Sequence, residues 1–175
     1  VSIDGTPLKR RARIQRCFFV QQDTDYQLYG FSLADEFNIG KKKTYTTAQI
    51  RAALQSVGIG QELTINPHIL SGGQKQRLLI AVAAASERQV LIFDEPTSGL
   101  DGYHMALTAR LLRQLAASGK TVIVITHDIE FIASVADTLC YFSGGKLHYH
   151  NYIRHIAEDC EPYAPLEGEM MQSIG

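Results

Sequence analysis

The sequence carries almost no net charge: 17 Lys and Arg against 18 Asp and Glu leave −1 over 175 residues. No overall field exists to hold nucleic acid or an anionic membrane by charge alone, so no nucleic-acid partner is expected. Long hydrophobic runs are missing as well. The longest, Leu78 to Ala85, falls well short of the ~20 residues a spanning helix requires, and no secretory signal opens the chain. The expectation is a soluble, cytosolic protein whose contact with a membrane runs through a partner. Cysteine is scarce: Cys17, Cys140 and Cys160 are an odd number at unrelated spacings, which fits reduced thiols better than a disulfide framework or a zinc site. Cys17 and Cys140 read as small apolar core residues. There is no internal repeat and no low-complexity block. What is present, 45% hydrophobic and 20% charged residues, is the composition of one globular domain.

Val1 to Gly5 reads as a strand end and turn, and Ile14 to Val20 as an apolar strand entering the polar run that begins at Gln21. From Ser32 to Gly60 the pattern turns helical. Ser32 is a plausible N-cap for Leu33 to Phe37, and Thr47 to Val57 forms an amphipathic helix ending at Gly58. From Leu78 onward the order is helix, strand Val90 to Phe93, helix Gly102 to Ala117, strand Val122 to Ile125, helix Ile129 to Ala136, strand Leu139 to Phe142. Strands alternating with helices imply an α/β fold around a parallel sheet. The strand up to Phe93 lacks polar alternation, which places it near the sheet centre with both faces covered. Gly144-Gly145 predicts a hairpin turn, and the acidic tail 151–175 carries at most a helical turn around Tyr152 to Ala157. The division is a core of 1–29 and 86–150, a helical subdomain of about 30–85, and the tail.

Chemistry concentrates in a few places. Ser71, Gly72, Gly73 and Gln74 open an apolar helix. Glycines there let backbone approach a polyphosphate, while free N–H groups and the positive end of the helix dipole face its charge. Taken alone, the same residues serve a turn and N-cap equally well. Val90 to Phe93 ends in Asp94 and Glu95, two carboxylates at the carboxyl end of a buried strand, the rim where open α/β sheets bind ligands. Asp94 suits Mg²⁺, and Glu95 suits a base that polarises an attacking water. Asp101, near a helix start, reads as a cap. His127 follows a strand expected beside that of Asp94, so its imidazole can reach the same phosphate. His68, His104, His148, His150 and His155 read as structural or exposed. Gln22 ends the Ile14 to Val20 strand similarly, where an amide can touch metal or water; a surface glutamine is the commoner case.

In this order the motifs resemble those of ATP-binding cassette (ABC) proteins. Leu70 to Gln74 resembles their signature, Val90 to Glu95 the Walker B strand with its catalytic glutamate, Ser98 to Asp101 the D-loop, His127 the switch histidine and Gln22 the Q-loop. The resemblance implies a P-loop NTPase-like core with a helical signature subdomain, and hydrolysis of ATP with Mg²⁺ held by Asp94 and Gln22. It implies head-to-tail pairing with a second cassette, in a homodimer, a heterodimer or a tandem fusion. Ser71, Gly72, Gly73 and Gln74 then act on nucleotide held by the partner.

The same resemblance demands a G-x-x-x-x-G-K-[ST] phosphate loop ahead of Gln22, and these residues contain none. Gly40-Lys41 has Asp35 where the first glycine belongs and Lys42 where the hydroxyl belongs. Gly119-Lys120-Thr121 has Gln114 at the first position and leads from helix to strand. The loop and the adenine-stacking aromatic are therefore expected upstream of residue 1, and residues 1–175 alone are expected to be inactive. The short helical insertion argues against the coiled-coil chromosome and repair branch. Val20 to Tyr29 is similar to the Q-loop of energy-coupling factor ATPases, with Thr24 in place of the usual proline. That implies vitamin or metal-ion uptake with a membrane-embedded component, at the cytoplasmic face of the cell membrane. Tyr29, Phe31 and Phe37 are candidates to line the partner's groove or to be ordinary core, the latter favoured for Phe37. The competing reading is a non-transport cassette acting as a regulatory or nucleic-acid-linked switch.

Overall fold

The computed structural model describes residues 2–3, 5–7, 9–40 and 44–152. Tail residues 153–175, with Cys160, His155 and the helical turn expected there, lie outside the described residues. The chain forms two compact units, Val1–Val135 and Ala136–Gly175.

The first unit opens with β1 (Ser2–Ile3) and β2 (Thr6–Pro7), an antiparallel pair turning at Gly5. Helix α1 (Arg10–Arg16) follows, then β3 (Cys17–Val20). The strand expected from Ile14 thus begins three residues later. Residues 9 to 16 are mostly Arg, Ala and Gln, which lose little freedom in a helix, and the Cys17 N–H closes the last turn onto the Arg13 carbonyl. Ile14 is left 60% exposed. Strands β3, β4 (Val90–Asp94) and β5 (Thr121–Ile125) form a parallel sheet in the order β3-β4-β5, with Phe19 beside Ile92 and Ile92 beside Ile123. The central place expected for β4 is confirmed, with Leu91 and Phe93 fully buried.

Helix α2 (Leu33–Asn38) starts where the Ser32 hydroxyl accepts the Asp35 N–H, and α3 (Thr47–Ser56) starts in a capping box between Thr46 and Gln49. Gly58, at φ 67°, ends α3, a backbone state that suits glycine. Helix α4 (Gly72–Ala85) packs its buried run Leu78 to Ala83 against α2, α3 and β3. Arg77, buried within it, donates to the Val57, Gly58 and Gly73 carbonyls. Helix α5 (Gly102–Ala117) matches its expected span, and α6 (Ile129–Val135) completes the unit. The core joins Phe37, Leu54, Leu78, Ile80, Phe93, Leu112 and Phe131 in one cluster.

In the second unit β6 (Thr138–Ser143) pairs antiparallel with β7 (Lys146–Tyr152) across Gly144-Gly145, so the expected turn is present. Tyr152, where a helical turn is expected to begin, is instead the last residue of β7. Cys17 is half-buried, whereas Cys140 is exposed; the core role assigned to Cys140 is wrong. It lies on the two-stranded hairpin of β6 and β7.

Candidate functional site

The parallel order of the sheet brings three strand ends to one rim. Leaving β3, the chain is fastened by Gln27, whose side-chain oxygen accepts the Gln21 N–H and whose amide donates to the Phe19 carbonyl. This clamp fixes the segment carrying Gln22. Leaving β4, the chain turns sharply at Glu95, the single described non-glycine residue with positive φ, 47°. That conformation costs about 1–2 kcal/mol, and the Glu95 N–H offsets part of it by donating to the Ile125 carbonyl at 2.8 Å. Leaving β5 come Thr126, His127 and Asp128.

These ends line one cavity of about 340 Å³, whose walls are Gln22, Glu95, Thr97, Ser98, His127 and Asp128. His127 Nδ1 sits 2.8 Å from Glu95 Oε1. The hydrogen bond and the charge of Glu95 raise the His127 pKa above its ordinary value of 6.5, because the imidazolium is the form they favour. The His127 side chain is 92% exposed, and that of Glu95 18%. Glu95 thus presents a fixed carboxylate to an open, polar space. The other carboxylate oxygen accepts from Thr126 Oγ1 at 3.0 Å. Thr97 donates to Asp128, whose second oxygen caps α6 at the Phe131 N–H.

Of the residues expected here, Gln22, Glu95, Ser98 and His127 meet around this cavity. Asp94 ends β4 beside them, half-buried and outside the lining set. Thr97, Thr126 and Asp128 were not singled out from sequence. Their signal was weak, namely hydroxyl and carboxylate residues flanking Glu95 and His127 in the turns after two adjacent strands. A larger groove of about 750 Å³ between α5 and α6 holds none of the expected site residues; its lining mixes small and apolar side chains such as Met105 and Ala109 with Arg110, Arg113 and Glu130.

The Ser71 to Gln74 segment lies apart from the cavity. Ser71 caps α4 reciprocally with Gln74. The two glycines differ: a Cβ on Gly72 would meet nothing within 4 Å, whereas one on Gly73 would lie 2.8 Å from the Gly99 carbonyl oxygen. Gly73 is therefore a glycine for its own chain's turn at Gly99, a reason the sequence did not reveal. Asp101 caps α5 at the His104 N–H and pairs with His104 Nδ1 at 2.8 Å, which lowers its pKa through those hydrogen bonds. Phe37 is core, while Phe31 and Tyr29 are 87% and 72% exposed.

Among the described residues no group of three or more His, Cys, Asp or Glu is arranged to hold a metal. Mg²⁺ needs no such cage when it takes one or two protein oxygens and completes its shell with phosphates and water. Asp94 and the Gln22 amide, both hard oxygen donors leaving adjacent strands, fit that chemistry. No described helix is long and apolar enough to cross a membrane.

The family model for ABC transporters matches residues 1–98. The chain is 44% identical over 147 residues, 84% of its length, to a protein of Treponema denticola provisionally named an ABC transporter ATP-binding protein, of which it covers 30%. It is 31% identical to the energy-coupling factor transporter ATP-binding protein EcfA of Methanocaldococcus jannaschii, with 92% of this chain and 61% of that protein covered. The structure of CbiO1 from Clostridium perfringens, described as part of the ABC transporter complex CbiONQ, superposes with a TM-score of 0.70 at 30% identity, over 86% of this chain and 64% of that one. The chain thus spans from about a third to under two thirds of the length of these relatives. With the strand-end site, the signature segment and these matches in agreement, the chain belongs to the ABC transporter family.

Proposed function

We propose that this chain is the larger part of an ATPase domain that powers import across a membrane, in the energy-coupling factor class. The observation that carries the reading is the pairing of Glu95 with His127 at 2.8 Å, in a polar cavity that Gln22 and Ser98 also line. Glu95 takes the proton of the attacking water as general base. His127 engages the terminal phosphate through the ring nitrogen not occupied by Glu95, and offsets its charge when protonated. Gln22 orients the water, and Asp94 with Gln22 would hold a magnesium ion that supplies charge neutralisation at the β and γ phosphates when bound.

The phosphate loop this chemistry needs is absent from these residues and comes from sequence outside them. The free edge of β5 supports that. Among the described residues β5 pairs with β4 alone, although Thr-Val-Ile-Val-Ile reads as an interior strand, and Ile123 and Ile125 stay 44% and 50% exposed. The unpaired backbone edge of β5 invites a further strand, and the face that carries Ile123 and Ile125 is left without cover among the described residues. Ser71, Gly72, Gly73 and Gln74 face a second cassette, and Ser98 and Asp101 sit in the turn that borders it. Tyr26, Tyr29 and Phe31, all exposed and close after Gln22 in the chain, offer apolar contacts to a membrane-embedded component at the cytoplasmic face of the membrane. The kinship with EcfA supports the energy-coupling factor class, and vitamin or metal-ion uptake is what that class implies.

The test is ATP turnover by a chain carrying both these residues and a phosphate loop, with Glu95→Gln as comparison. Nucleotide binding without turnover in that variant supports the reading, and undiminished turnover ends it. Copurification addresses the partner: a hydrophobic membrane protein supports import, and RNA or DNA retained after a salt wash points to a non-transport cassette.

A further inference from the structure

The hydroxyl of Thr126 has two neighbours, and together they fix where its proton goes. Thr126 Oγ1 accepts the Asp128 N–H at 3.1 Å and lies 3.0 Å from Glu95 Oε2. With one lone pair taken by the amide, the hydroxyl proton points at the carboxylate, because an ionised carboxylate can only accept. Thr126 is half-buried at the end of β5, one residue after the carbonyl that accepts the Glu95 N–H. Its β-branched side chain is stiff at χ1. Glu95 has no comparable support of its own: its backbone is held in the left-handed region, and its other oxygen meets a histidine that is almost fully exposed.

We propose that Thr126 is a positioning residue for Glu95, holding one carboxylate oxygen so that the other stays directed into the cavity beside His127. The inference rests on the hydrolytic reading of Glu95 above. Thr126 is not among the residues that line the cavity. Its effect is on the direction of the base, and a misplacement of about 1 Å in such a group costs on the order of a hundredfold in rate. Its amide acceptor role ties the base to the turn at Asp128, which Thr97 braces from the other side at 3.3 Å.

Thr126→Val keeps the shape and removes the hydroxyl; Thr126→Ser keeps the hydroxyl. In a chain that carries a phosphate loop, Thr126→Val lowers kcat by about tenfold to a hundredfold with the KM for ATP little changed, and Thr126→Ser restores most of the rate. A Val variant with wild-type or higher kcat overturns the proposal. So does a Ser variant as slow as the Val variant, since the hydroxyl is then not the cause. A crystal structure of the 175-residue chain bearing Thr126→Val separates this from the hydrolytic reading. There the Glu95 carboxylate rotates off its His127 contact, and a carboxylate left in place contradicts the positioning role whatever the turnover. If Glu95→Gln is as active as the wild type, the hydrolytic reading fails instead.

Discussion

Lys75 Nζ, on the residue immediately after the signature segment, lies 2.7 Å from Asp25 Oδ1 in the turn that follows Gln22. The Lys75 side chain is mostly covered, at 13% exposure, while Asp25 is 62% exposed. The lysine ammonium lowers the Asp25 pKa, chiefly through the hydrogen bond. One ion pair thus ties the Gln22 arm to the helix that begins at the signature.

Asp25→Lys and Lys75→Asp each place like charges opposite one another and should loosen residues 21–29. The double reversal should restore them. Hydrogen exchange across those residues reads this directly: faster exchange in each single variant and near-wild-type protection in the double is expected. Equal protection in all four proteins would show that the pair does no positioning.

The contact between Gly73 and the Gly99 carbonyl separates two adjacent glycines. Gly73→Ala forces the turn at Gly99 to move and should cost about 1–3 kcal/mol as overpacking does. Gly72→Ala has open space and should be neutral or slightly stabilising, because alanine is the better helix former. Urea unfolding of the two variants without nucleotide measures the difference; equal midpoints would mean that the close approach is not real.

How much of this was legible in the sequence can be judged from single residues. Asp94 and Glu95 could be placed because the apolar run before them reads as a central strand whose carboxyl end is a rim, and His127 because its strand, reached through a helix, runs parallel beside that one. Ser32 and Ser71 could be placed because capping is local chemistry. The start of β3 differs from the expected one because Ile14, three residues ahead of Cys17, extends the apolar pattern, whereas the arginines on either side of it favour a helix. Thr126 escaped notice because its role depends on a carboxylate 31 positions away. Gly73 has a further reason that the sequence does not show, its close approach to the Gly99 carbonyl, and Cys140 is exposed on a hairpin instead of lying in a core.

His127 supplies a pH dependence whose sign is fixed. Its pKa in the folded chain is raised by Glu95, so its pairing contributes stability that is fully present below the ordinary value of 6.5 and is lost as pH rises through the raised one. The denaturation midpoint of the wild type, relative to Glu95→Gln, should fall over that window. In the variant the His127 resonances should titrate near the ordinary histidine value, and an unchanged titration curve would contradict the pairing.

The exposed aromatics after Gln22 and the core should respond oppositely to truncation. Phe37→Ala removes a buried ring and should cost about 3–5 kcal/mol. Phe31→Ala should change stability by no more than about 0.5 kcal/mol while weakening copurification of the membrane component. Thermal or urea unfolding with pull-down from solubilised membranes measures both, and a Phe31 variant that still retains the component would remove Phe31 from the docking surface.

The most direct measurement is a structure of a chain containing these residues and a phosphate loop, bound to Mg²⁺ and a non-hydrolysable ATP analogue. The terminal phosphate should lie in the cavity bounded by Gln22, Glu95 and His127, with a water within hydrogen-bond reach of the Glu95 carboxylate. A terminal phosphate bound elsewhere, with that cavity left to solvent, would contradict the account.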